Sequence, residues 1–445
     1  MDIYEEYRQK LRTPEEAVKL VRDGDWVDYS QTCSFPEALD AALAGRCGEL
    51  HDVKIRGSIS MKPVQVVEQD PEHQAFTYHV WHCSGLDRTY IDRGLAYFIP
   101  MLFRDCGSYY RRGFAPVNVA MISVAPMDKH GYFSFGLTNA CQQEVLDAAE
   151  HIILEVNEHM PVIYGMEGDH IHLSEADCVV EGHRDICLSP AGSASEMDQK
   201  IAANIFPHLR DGITLQLGIG GMPNALGTLI AQSDLKDIGM HTELMSDGYL
   251  NLYQAGKITN KAKELQRGKG VFSVCFGSRE LYEFLDHHPG ILSAPMRYVN
   301  DPGTIRQFRN FVSINSCIAV DLYGQVCSES AGTRQISGTG GQLDFVNGAF
   351  LSENGKAFLS MPSTYMDPAG TLHSRILPKF TQGDIITTPR TQAPYLVTEY
   401  GAVCLSGLPT WERAEAIISL AHPDFRPSLI RQAGEQKIWR PSNRR

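Results

Sequence analysis

Short apolar runs bounded by turn residues alternate along the chain with stretches of helical period. That alternation predicts an α/β fold with largely parallel sheets. Thr13-Pro14-Glu15-Glu16 reads as a capping box with proline at the first helical position, opening a helix through EEAVKLVR. The strand DWVDYS, a turn containing Pro36, the helix PEALDAALAGR and the strand DVKIRGSIS follow. Further on come an apolar strand at Val117–Val124, the helix QQEVLDAAE and the strand HIILEVNE. Residues 188–195, LSPAGSAS, are small, polar and without period, and make the best linker. Beyond them the alternation resumes through GVFSVCFGS, RELYEFLDHH, FVSINSCIAVDLYG, GKAFLSM and a strand YLVTEYG ending at Gly401. A helix TWERAEAIISLA is expected to be capped by Thr410, and the polar tail 438–445 is expected on the surface.

The pattern before the linker partly repeats after it. Arg22, Asp23 and Gly24 match Arg210, Asp211 and Gly212, each ahead of a strand and a turn into a helix. Asp128-x-x-Gly131 matches Asp321-x-x-Gly324, each after an apolar strand. Two such anchors predict two similar open α/β domains, over residues 1–188 and 196–445. Chance likeness of two generic strand–turn–helix units is the competing explanation. The counterpart of the strand carrying Glu243 is expected to put Arg56, or a neighbour, in its place.

Residues 213–248 hold the densest chemistry: a strand, the turn Gly218-Ile219-Gly220-Gly221-Met222-Pro223, a helix, and a second strand with one carboxylate, Glu243. Glycines let such a turn bend tightly and expose the first N–H groups of the helix, with Pro223 expected at its first position. As a dinucleotide fingerprint the turn is G-x-G-x-x-P, with proline in place of the third glycine and Glu243 as the ribose ligand. As an acyl-CoA or oxyanion loop its backbone donors serve a thioester or pantetheine segment. As a plain structural turn it binds nothing. Spacing alone does not separate the last two. Glu243 is one acid among many in an acidic chain, so a solvated surface charge is its default reading. Its place at the end of a mostly apolar strand raises it to a candidate nucleophile. Gly338-Thr339-Gly340-Gly341-Gln342 is either a flexible surface loop or a second close approach of backbone to ligand.

Composition narrows the classes. The chain has 445 residues with 43% hydrophobic and 21% charged, enough for two or three domains with their own core. Its net charge of −13 argues against nucleic acid or an anionic membrane as partner. The 11 cysteines include no CxxC pair and read as reduced thiols of a cytoplasmic protein. The charged N-terminus has no signal-peptide core, and no apolar run is long enough to span a membrane. His287-His288 and His170-x-His172 lack the partners of a metal site, and no G-x-S-x-G elbow offers a serine hydrolase.

Five motifs in order, QLGIGGMPNAL, IGMHTELMSDG, DLYGQVCSESAG, QISGTGGQLDF and VTEYG…RAEAIISLAHPDFR, resemble the acetyl-CoA hydrolase/transferase family of CoA-transferases. The resemblance runs from DGDWVDY to IWRPSN, nearest the butyryl-CoA:acetate branch and next the 4-hydroxybutyrate branch, with which the Ser246-Asp247-Gly248 ending is associated. It implies two α/β domains with the active site between them, and Glu243 as the catalytic nucleophile. It also implies that Gly218, Ile219, Gly220, Gly221, Met222, Ile318 and Gly341 line the CoA site. At Met366 the chain departs from the family, where relatives often carry a cofactor-contacting lysine. The implied substrates are CoA thioesters and short-chain carboxylates, with no tightly bound cofactor, no metal, and a homodimer or homotetramer. Implied alternatives are 4-hydroxybutyrate transfer and acetyl-CoA hydrolysis. Outside the family, a nicotinamide-dependent oxidoreductase and a non-catalytic CoA-binding module remain.

Overall fold

Valine, isoleucine and leucine fill the predicted strands, and the strands are buried on both faces, as in a parallel sheet covered by helices. The computed structural model describes residues 2–189, 192–440 and 442. Pro190 and Ala191 of the predicted linker, and most of the last residues of the predicted tail, lie outside these.

The first sheet consists of β1 (Trp26–Tyr29), β2 (Val53–Gly57), β3 (Phe76–Val80), β4 (Ala96–Phe98), β5 (Val117–Val124), β6 (Ala149–Asn157) and β7 (Cys178–Gly182). Its order is β4-β3-β2-β1-β5-β6-β7, parallel throughout. The second consists of β8 (Thr214–Leu217), β9 (Gly239–Met245), β10 (Gly270–Cys275), β11 (Ile291–Ser293), β12 (Phe311–Ser316), β13 (Lys356–Ser360), β14 (Tyr395–Thr398) and β15 (Gly401–Cys404). Its order is β11-β10-β9-β8-β12-β13-β14-β15, parallel except for the last pair. Strand for strand the second sheet repeats the first, with one antiparallel edge strand added.

The sequence echoes fall on equivalent places. Asp23 accepts from the His51 N–H at 2.8 Å, and Asp211 from the Lys236 N–H at 3.0 Å. Gly24 and Gly212, both with positive φ, donate to the carbonyls of His51 and Lys236. Asp128 and Asp321 each close the same turn, accepting from the second and fourth N–H groups beyond them. This shared geometry is what chance likeness would not supply.

Several local expectations are corrected. The helix after Thr13 has its capping box but is α-helical only over Pro14–Ala17, passing into a 3-10 turn. Pro223 is the third residue of α1 (Gly221–Gln232), still inside the first turn where an N–H has no partner to lose. Thr410 begins its helix, and Pro409 is the cap. YLVTEYG does not end one strand; β14 and β15 form a hairpin through it. The register also corrects the predicted counterpart of Glu243. Lys54 lies opposite Trp26 and Gly239 opposite Thr214, which makes His241 the equivalent of Arg56 and Glu243 the equivalent of Ser58.

A single hydrophobic cluster runs through both halves, from Ile122 and Leu154 of the first sheet to Leu215 and Phe272 of the second. Main-chain hydrogen bonds join the halves too, including Cys275 N–H to the Leu137 carbonyl at 2.7 Å and Asn139 N–H to the Ser273 carbonyl at 3.0 Å. The two halves are therefore held together by a shared core. Among the described residues no helix is long and apolar enough to cross a membrane.

Candidate active site

Side chains alternate along a strand, so His241 and Glu243 of β9 share a face. His241 is fully buried, and burial holds its imidazole down at about 3, neutral at physiological pH. Its Nε2 lies 2.8 Å from the Val299 carbonyl and fixes the end of the short helix Met296–Val299. The next residue, Asn300, is thereby presented to Glu243, and its side-chain amide donates to Glu243 Oε2. On the other side lies Gly341, the cap of α2 (Gln342–Leu351). A methyl group built on its α-carbon would overlap both Glu243 Oε2 and the Asn300 amide. The second glycine loop is thus a close approach of backbone to carboxylate.

The loop is gripped from the first half. The Phe103 N–H donates to the Gly340 carbonyl at 3.3 Å, and Cys83 N–H to the Ser337 carbonyl at 3.3 Å. The His82 ring packs on Gly338 and Gly340. Glu243 therefore lies where the C-terminal end of β9 meets the first half of the chain.

Burial pushes the Glu243 carboxyl up to about 7, against the Asn300 hydrogen bond, which favours the ionised form. A carboxylate poorly solvated but singly hydrogen-bonded is more nucleophilic than one in water, and such shifts cluster at functional sites. A carboxyl acting as the nucleophile expected from the sequence attacks only when ionised, so in that role kcat/KM for a thioester should rise with pH through about 7 and level off above it. Asn300→Ala removes the group favouring ionisation and should move that limb to higher pH, which a pH–rate profile of the two proteins would read.

The other predicted residues fall in two further places. Extending the β8–β9 register from Leu215 opposite Met240 puts Gly218 level with Glu243. Gly218 N–H is bonded to the Ile314 carbonyl at 3.0 Å. Gly220 has φ 114°, open to glycine and strained for other residues, and Ile219 is 51% exposed. These two border a cleft of about 200 Å³ with Asn224, Ser246, Asp247 and Phe276. Gly221 packs against the Asp198 carboxylate, and Met222 is buried in the core. Ile318 lies apart, in a cavity of about 620 Å³ that also holds Arg334, Tyr365 and Arg375. Arg375 donates to the Ile318 carbonyl at 3.0 Å and stacks on Tyr365 at 5.0 Å. Met366 is exposed on the neighbouring hairpin. Of the residues expected to line the CoA site, Gly341 abuts the Glu243 carboxylate. Asn300, Asp344 and Arg375 were not singled out from sequence, because no local spacing ties them to Glu243. Among the described residues no three His, Cys, Asp or Glu side chains are grouped to hold a metal ion.

The chain matches the acetyl-CoA hydrolase/transferase N-terminal domain over residues 1–188 and the C-terminal domain over 277–433. It is 45% identical to a butyryl-CoA:acetate CoA-transferase of Anaerostipes caccae, covering 100% of both chains. It is 46% identical to a protein of Syntrophomonas wolfei named "Probable butyrate:acetyl-CoA coenzyme A-transferase", covering 99% of both. The crystal structure of RipA from Yersinia pestis superposes with a TM-score of 0.91 at 36% identity, over 99% of this chain and 100% of that one. Two matched, largely parallel sheets and these full-length relatives define a CoA-transferase. The chain belongs to the acetyl-CoA hydrolase/transferase family.

Proposed function

We propose that the enzyme moves CoA between short-chain acids, of butyryl-CoA:acetate type, by a ping-pong reaction through a glutamyl-CoA thioester on Glu243. The observation that carries this is the partly buried carboxylate of Glu243, hydrogen-bonded by Asn300 and abutted by the α-carbon of Gly341. One Glu243 oxygen attacks the acyl-CoA carbonyl, the C–S bond breaks, and CoA leaves as thiolate from an acyl-glutamyl anhydride. The thiolate then attacks the glutamyl carbonyl, releasing the first carboxylate and leaving the thioester on the enzyme. The acceptor carboxylate runs the steps in reverse. Charge is conserved at each step, and neither ATP nor a metal is consumed.

The tetrahedral intermediates need donors aimed at an oxyanion. The side-chain amide of Asn300 donates to the carboxylate, and we assign as further donors the first N–H groups of α2, which an α-helix leaves without internal partners and whose cap residue Gly341 abuts Glu243. For CoA itself we assign Gly218, Ile219 and Gly220 to one wall and Ile318 to another, with Gly221 and Met222, which pack inward on Asp198 and the core, supporting the first wall from behind. Arg375 in the Ile318 cavity supplies positive charge suited to a phosphate, the charge that the lysine missing at Met366 would carry; Arg334 beside it is already paired with Asp92. We place the enzyme in the cytoplasm as a homodimer or homotetramer.

Incubation with butyryl-CoA and no acceptor should add one CoA, less water, to the peptide containing Glu243, and double-reciprocal plots should be parallel. Unmodified Glu243 recovered from fully active, substrate-treated enzyme would remove the mechanism. A panel of butyryl-, 4-hydroxybutyryl- and propionyl-CoA donors against acetate ranks the acyl preference.

A further inference from the structure

Asp344 lies in the first turn of α2, three residues beyond Gly341, and is fully buried. Neither of its carboxyl oxygens has a hydrogen-bond partner meeting normal geometry. Its one ion pair, among the described residues, comes from the opposite half of the chain: Arg104 Nη1 stands 3.2 Å from Oδ1. Arg104 directly follows Phe103, whose N–H holds the Gly340 carbonyl, and Leu102 forms a bridge with the same residue. Residues 102–104 thus grip the glycine loop by its backbone and the helix behind it by charge. Between these two grips lies Gly341, on Glu243.

We propose that Arg104 and Asp344 form a clasp between the two halves that holds the loop at 338–341 over Glu243 and keeps water from the glutamyl-CoA thioester, so setting the ratio of CoA transfer to hydrolysis. This rests on the assignment of Glu243 as nucleophile. Both are positioning residues; neither touches the acyl group. The step they suppress is attack of water on the thioester carbonyl. The C–S bond breaks, the Glu243 carboxylate is restored, and CoA leaves as the thiol, with one proton released to solvent. The clasp also responds to the reaction. Burial pushes the Asp344 carboxyl up to about 8, with Arg104 opposing the rise and the negative charge of Glu243 adding to it, so the protonated form prevails near neutral pH while Glu243 is ionised. Esterifying Glu243 removes its charge, so Asp344 ionises more readily and the pair with Arg104 strengthens while the water-sensitive thioester exists.

Asp344→Asn is the mild test, since it leaves Arg104, one-third exposed, able to reach solvent. Arg104→Met is the harsh one, because it strands a buried carboxyl. Enzyme loaded with CoA from butyryl-CoA, without acceptor, is followed by intact mass and by thiol release, and transfer is measured with acetate. In Asp344→Asn the adduct should hydrolyse about tenfold faster, with the transfer-to-hydrolysis ratio falling by a similar factor. Arg104→Lys should retain most of the parent ratio. The double variant Arg104→Met with Asp344→Asn should be no worse than Arg104→Met alone. An unchanged adduct lifetime, or transfer and hydrolysis falling by one common factor, overturns the clasp. If Asp344→Asn does not fold, Arg104→Lys and Arg104→Met decide by the same two rates. Failure of the parent enzyme to form any adduct on Glu243 instead overturns the nucleophile assignment.

Discussion

Glu243→Gln should lower CoA transfer by about a thousandfold or more, the scale of removing a covalent nucleophile, while the protein stays folded. The substitution is isosteric and leaves the Asn300 amide an oxygen to donate to. Its effect on stability has a definite sign. The folded carboxyl holds its proton up to about 7, above the ordinary value of 4.5, so its contribution is full below the unfolded value and lost as pH rises through about 7. Glutamine does not titrate. The variant should therefore equal or exceed the parent in Tm at pH 8, and the gap should close at pH 5. Thermal melts at the two pH values, beside an acetate-dependent exchange assay, separate loss of chemistry from loss of fold. Transfer retained at near-parental rate would move the nucleophile elsewhere.

Gly341→Ala should cost about a hundredfold in kcat with little change in Tm, since displacing a reacting group by about 1 Å has that scale. Gly341 has φ −98°, which alanine adopts without strain. The added methyl instead displaces the Glu243 carboxylate and the Asn300 amide, both of which it would overlap. The adjacent Gly340→Ala provides the contrast. Its φ of 57° is left-handed, so alanine there is strained by about 1 kcal/mol and should lower Tm, while its nearest neighbour is the His82 ring rather than the carboxylate. Equal losses of activity with equal losses of Tm in both variants would show that the loop is merely structural.

The two variants mark how much of the site was legible beforehand. The HTE strand could be singled out because an apolar strand ending in one acid is unusual, and family motifs name the same residue. The loop at 338–342 could be seen as glycine-rich, but composition does not distinguish a floppy loop from a tight approach. That distinction depends on what stands within a methyl radius of each α-carbon, and Glu243 is nearly a hundred residues away in sequence. The turn at Gly218 shows the reverse. Its motif is conspicuous, yet Gly221 packs on Asp198 and Met222 enters the core, so part of its glycine content serves packing.

The sequence by itself determined the α/β class, the doubled arrangement and the carboxylate at the end of its strand. Those follow from local period, turn chemistry and short-range hydrogen bonds, which neighbouring residues set among themselves. The Asn300–Glu243 hydrogen bond, the His241–Val299 contact that presents Asn300, and the Arg104–Asp344 pair between the halves were decided only in the tertiary structure. Each joins residues from separate elements, and only packing of the two halves on one core brings them within hydrogen-bonding or Coulombic range.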